Sequence, residues 1–80
     1  MNKKHSLFQL REALEALTET IREVEADPED DDVELGVGLT HVFHHLNTAW
    51  NARMETEART TACSDSDFKR WRQFPKDIEL

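Results

Sequence analysis

Large apolar side chains recur at alternating spacings of three and four residues through the first third of the chain. They are Leu7, Leu10, Leu14, Leu17, Ile21 and Val24. This period places them on one side of an α-helix, and good helix formers occupy most positions between them. Ser6, followed by Gln9, matches the capping box that opens many helices. The pattern predicts a first helix from about residue 6 to about residue 27.

A second apolar arc follows the interruption at Asp27-Pro28, where proline disfavours helical angles in the residue before it. At 100° per residue, one broad face collects Leu35, Leu39, Val42, Phe43, Leu46, Ala49, Trp50 and Met54. We therefore expect a second helix from about residue 33 to about residue 60. The short connection makes the two helices antiparallel neighbours, and we expect the second apolar arc to face the first helix.

A short third helix is predicted from about residue 65 to about residue 74. Ser64 and its neighbours offer N-caps, and Phe74-Pro75 provides a stop. Five of the six aromatic residues map to the open end of the hairpin, where we expect a small aromatic core: Phe8, Trp50, Phe68, Trp71 and Phe74. The predicted fold is one all-α domain over residues 1–80, an antiparallel helical hairpin with a short third helix.

Residues 35–52 contain no Asp, Glu, Lys or Arg, although 34% of the chain is charged. A helix without a charged side is usually covered on that side. The uncharged outer positions form what we call the neutral face: Val37, Thr40, His41, His44, His45, Asn47, Thr48 and Asn51. We expect it to pair two copies into a dimer resembling a four-helix bundle. A different protein partner, or an amphipathic helix that is simply uncharged outside, would explain the same pattern.

Three histidines of this stretch are the candidate metal ligands. His41 and His45 are four residues apart, so they lie one above the other on a helix and could reach one ion. The HExxH pattern of zinc proteases is missing, and we expect Cys63 to lie too far along the chain to join them. The favoured interpretation is a hydrogen-bonded histidine cluster in an interface, without a cofactor. A metal site at His41 and His45 is the alternative.

The net charge of −7 argues against nucleic-acid binding. Residues 23–34 hold eight acids and no base, whereas residues 1–11 hold three bases and no acid. An acidic inhibitor or nucleic-acid mimic would present a basic partner with the carboxylates that follow the first helix: Asp27, Glu29, Asp30, Asp31, Asp32 and Glu34. The favoured interpretation of the run is a solvated loop.

Cys63 has no neighbouring motif that would make it a nucleophile, so we do not expect an enzyme. A single cysteine is typical of a reducing compartment, and no apolar run is long enough to span a bilayer. We therefore expect a cytoplasmic protein that does not associate with membranes. The leading functional hypothesis is a non-enzymatic interaction module that self-associates through the neutral face.

Overall fold

A computed structural model describes residues 1–29 and 31–79 of the chain. It contains four helices: α1 (Lys3–Ala26), α2 (Val33–Asn51), α3 (Glu57–Ala62) and α4 (Asp65–Trp71). α1 and α2 pack against each other along their length. Their pairing is antiparallel, because Ser6 contacts Ala49 near one end and Thr20 contacts Gly38 near the other. No strand occurs in the two described ranges, so the predicted all-α hairpin is confirmed.

α1 begins three residues before its predicted start. Its N-cap is Asn2, whose side-chain oxygen accepts a hydrogen bond from the His5 backbone N–H. The Asn2 backbone N–H donates to the Arg53 carbonyl, which ties the start of α1 to the end of α2. The prediction of a capping box at Ser6 is therefore wrong. Ser6 lies buried inside the helix and donates its hydroxyl to the Ala49 carbonyl at 3.2 Å.

The two long helices meet through small and polar side chains, not through their leucines. We call this line of contact the seam. On α1 it consists of Ser6, Gln9, Ala13, Ala16 and Thr20, and on α2 of Gly38, Val42, His45 and Ala49, with Ala52 directly after the helix. A Cβ added at Gly38 would lie 2.1 Å from Thr20 Oγ1. The expectation that the broad apolar arc of α2 faces α1 is thus wrong for most of its members, since only Val42 and Ala49 of that arc are buried.

α2 ends at Asn51, nine residues before the predicted end. A new N-cap follows five residues later: the Thr56 hydroxyl accepts from the Arg59 backbone N–H and starts α3. α3 ends at Cys63, which has left-handed backbone angles with φ 38°. α4 uses Ser64 as its N-cap and ends at Trp71, before the expected Phe74.

The predicted aromatic core forms only in part. Trp71 is buried, with 2% of its surface exposed, whereas Phe8, Phe68 and Phe74 are exposed. Trp50 lies half-buried elsewhere, donating its indole N–H to Asp77 and lying beneath the Arg53 guanidinium. Among the helices of the described residues, none combines the length and apolar character needed to cross a membrane.

Candidate functional site

The two remaining sides of the hairpin follow from the position of the seam. Residues one position after the seam are rotated by about 100° about the helix axis. In an antiparallel pair, the same sense of rotation about each axis leads to the same side of the pair. The residues following the seam therefore form one surface that spans both helices. The residues preceding the seam form the opposite surface.

The surface after the seam is mostly apolar, and we call its apolar part the leucine face. α1 contributes all six residues of its apolar stripe, and each is 36–64% exposed. α2 adds Leu35, Leu39, Phe43 and Leu46, of which Leu39 is half-buried and the other three are exposed. Exposure of such a stripe to water is unfavourable in free energy, because burial of apolar area normally stabilises a folded protein. The largest apolar side chains of the hairpin thus lie outside its own core.

The opposite surface carries most of the neutral face, and the short helices cover part of it. Asn47 donates its side-chain amide to the Arg72 carbonyl at 3.0 Å, and Asn51 donates to the carbonyls of Trp71 and Gln73. Val37, Thr40 and His41 are exposed, whereas His44, His45 and Thr48 are half-buried. Part of the neutral face is therefore used inside the chain, to hold the residues after α4. Its role as an interface between copies stays a prediction.

A cavity of about 300 Å³ lies between this surface and the short helices, and we call it the histidine cavity. All four histidines of the chain line it, together with Cys63, three aromatic rings and Arg72. The aromatic rings are Phe8, Phe68 and Trp71. The turn after α2 brings α3 back over the start of α1, so Cys63 lines the same cavity as the histidines. That Cys63 lies too far from them to join them as a metal ligand stays a prediction.

A chain of hydrogen bonds orders three of the four rings. The Gln9 side-chain oxygen lies 2.7 Å from His45 Nδ1, so this nitrogen donates, and the amide nitrogen of Gln9 donates to His5 Nε2 at 3.4 Å. His45 Nε2 lies 3.0 Å from His41 Nε2. Because a neutral imidazole carries one proton, His45 accepts at Nε2 and His41 donates there. Gln9 thus selects the tautomer of His45.

The cavity favours neutral imidazoles. Burial lowers the pKa of His5, and burial with the positive charge of Arg72 lowers the pKa of His44. The pKa of His45 is also lowered, first by burial and then by His41, while Glu12 opposes the shift. His44 Nδ1 accepts a hydrogen bond from the Arg72 guanidinium. Neutral rings with a lone pair directed at a defined partner are ligands and acceptors, not cationic sites.

Sequence reasoning identified His41, His44 and His45 but missed His5, Gln9 and Arg72. Gln9 lies 36 residues from its partner His45, and Arg72 lies 28 residues from its partner His44. One signal was available for α1: His5 and Gln9 are four residues apart, and Gln9 repeats the seam spacing from Ser6. Nothing local indicated Arg72.

The acidic loop lies at the closed end of the hairpin, far from the cavity. Asp27, Glu29, Asp31, Asp32 and Glu34 are exposed or half-buried, and Asp30 lies outside the described residues. Asp27 and Asp31 accept from the backbone N–H groups of Glu29 and Val33. These bonds shape the turn, and the carboxylates face solvent.

Within the two described ranges, no three side chains among histidine, cysteine and the carboxylates converge on one point in the manner of a complete metal centre. Comparison of the chain with protein-family models, with curated proteins and with solved structures finds no match.

Proposed function

We propose that this protein is a helical interaction module that self-associates through the leucine face, forming a four-helix core from two hairpins. One observation carries the proposal: the continuous apolar stripe of α1 and the apolar residues of α2 lie side by side and exposed. This differs from self-association through the neutral face, because α4 and the residues after it already occupy part of that surface.

The size of the leucine face supports a second copy as its occupant. The 19 residues of α2 span about 28 Å, and two helices side by side are about 20 Å wide. Each copy would bury roughly 560 Å², near the upper limit for an apolar patch on a monomer. Two copies would together bury roughly 1,100 Å², which passes the area of about 1,000 Å² expected of a biological interface.

The charges at the two ends of the hairpin support an antiparallel arrangement of the copies. Lys3 and Lys4 lie at the open end, with Arg11 two turns further along α1. The closed end carries seven acids among the described residues of the range 23–34. A two-fold axis through the middle of the leucine face places the basic end of each copy beside the acidic end of the other. A parallel arrangement would bring the two acidic ends together, which is unfavourable.

The test compares two substitutions that add the same charge on opposite sides of the hairpin. Leu14 lies at the centre of the α1 stripe and is 64% exposed, and Val37 belongs to the neutral face and is 68% exposed. Neither side chain fills the monomer core, so Leu14→Glu and Val37→Glu should leave the hairpin folded. We expect wild type and Val37→Glu to sediment as dimers at micromolar concentration, and Leu14→Glu to sediment as a monomer.

Circular dichroism on the same samples checks that each variant keeps its helical content. A wild-type protein that sediments as a monomer would contradict self-association altogether. A dimer that survives Leu14→Glu and dissociates with Val37→Glu would contradict the leucine face and restore the neutral face as the interface.

A further inference from the structure

We propose that His41 and His45 bind a divalent transition-metal ion of the zinc type at the histidine cavity, with Gln9 as a positioning residue. The two rings are one turn apart on α2, and their Nε2 atoms lie 3.0 Å from each other. Two nitrogens bound to one tetrahedral zinc at 2.0–2.1 Å are about 3.3 Å apart. The rings therefore need to separate by only a few tenths of an ångström to admit the ion between them.

The hydrogen bond from His45 Nδ1 to Gln9 is what converts a pair of neighbouring histidines into a prepared site. Metal-bound histidines usually donate their second ring N–H to an oxygen acceptor, which fixes the tautomer and the orientation of the ring. Gln9 Oε1 is such an acceptor, at 2.7 Å. It leaves the lone pair of His45 Nε2 available for the ion.

The surroundings set the character of the site. Glu12 acts electrostatically on His45 and favours a nearby positive charge, while Arg72 lies against His44 and opposes it. Two protein ligands leave two positions of a tetrahedral ion for water or another small ligand. The site is therefore open to an additional ligand, in contrast to the closed four-ligand sites that stabilise small folds.

The experiment is a calorimetric titration of the full chain with zinc ions alone. We expect saturable uptake of one zinc per chain, and a loss of affinity of about tenfold or more for His41→Gln and for His45→Gln. His44→Gln is the matched control, because His44 Nδ1 is already occupied by Arg72. It should change the affinity by less than about twofold.

Two substitutions at Gln9 test its role as a positioning residue. Gln9→Leu removes the acceptor and should weaken zinc binding by about tenfold, whereas Gln9→Glu keeps an oxygen acceptor and should keep or increase the affinity. Nitrogen-15 spectra of the histidine rings give an independent readout: zinc should shift Nε2 of His41 and His45 and leave His45 Nδ1 protonated.

Absence of saturable uptake below about 1 mM free zinc would overturn the proposal. So would uptake that His41→Gln and His45→Gln leave unchanged. Leu14→Glu separates this proposal from self-association, since the metal site lies within one chain and the monomeric variant should bind zinc as wild type does.

Discussion

Gly38 and Gly36 lie two residues apart on the same helix, but Gly38 is packed against α1 and Gly36 is not. Substitution of each glycine by alanine therefore tests the close packing at the seam. A Cβ at Gly38 would lie 2.1 Å from Thr20 Oγ1, 2.5 Å from Thr20 Cγ2 and 2.8 Å from Thr20 Cβ. Rotation of the threonine side chain removes the first two contacts but not the third, because Cβ is fixed to the backbone. Gly38→Ala must therefore push the helices apart. Gly36→Ala meets nothing within 4 Å.

The magnitudes follow from two opposing effects. Alanine in a helix interior is more favourable than glycine by about 1 kcal/mol, and this gain applies at both positions. Overpacking a well-filled contact costs about 1–3 kcal/mol. We expect Gly36→Ala to raise the free energy of unfolding by about 0.5–1 kcal/mol. We expect Gly38→Ala to change it by between about zero and a loss of 2 kcal/mol, so that the two variants differ by about 1–3 kcal/mol.

Urea denaturation followed by circular dichroism measures both values, at one fixed protein concentration because the stability of a dimer depends on concentration. A double variant carrying Thr20→Ala and Gly38→Ala completes a mutant cycle. It should recover part of the loss, since the two closest contacts disappear while the Cβ contact stays. Equal stability of the two single variants would refute the close approach at Thr20.

Two further predictions concern the short helices. Trp71→Ala should lower the free energy of unfolding by about 3–5 kcal/mol in the same urea assay, because the ring is 2% exposed. Phe74 is exposed, so Phe74→Ala should change the free energy of unfolding little. A loss below about 1 kcal/mol for Trp71→Ala would contradict the burial of its ring. Hydrogen bonding to Arg59 holds the pKa of Asp67 below its ordinary value, so the stabilisation is complete above the unfolded pKa and is lost as the pH falls toward the folded one. Asp67→Asn should therefore remove this part of the fall in melting temperature at acid pH. If the melting temperature of Asp67→Asn depends on pH as that of the wild type does, the pairing of Asp67 with Arg59 is contradicted.

The helical periods were visible in the sequence, but the side that each helix buries was not. Leucines recur on α1 at the same alternating spacing as the seam, shifted by one residue. A pattern argument selects the larger side chains for the core. The structure selects the smaller ones, because Ala13, Ala16 and Gly38 let the two backbones approach closely. Small residues one position before Leu7, Leu14 and Leu17 were the available signal.

The end of α2 and the histidine cavity depended on features that local pattern reasoning weighs poorly. No proline or glycine marks the break after Asn51, and the N-cap at Thr56 is a single residue inside a helix-forming stretch. The cavity then depends on that break, since it sends α3 and α4 back across the open end. His41 and His45 could be named as a pair from their spacing alone. Their partner Gln9 is 36 residues away and required the fold.

The end of α4 and the residues after it are held by hydrogen bonds: the side-chain amides of Asn47 and Asn51 bind carbonyl groups of Trp71, Arg72 and Gln73, and Trp50 and Arg53 bind the Asp77 carboxylate. Apart from Trp71, this attachment buries little apolar surface, and a few hydrogen bonds stabilise by only about 1 kcal/mol each. Detachment of this segment should therefore require less free energy than separation of α1 from α2. In amide hydrogen exchange, α4 should exchange its protons well before the middle of the seam does. The wall of the histidine cavity would then open many times for each global unfolding of the hairpin.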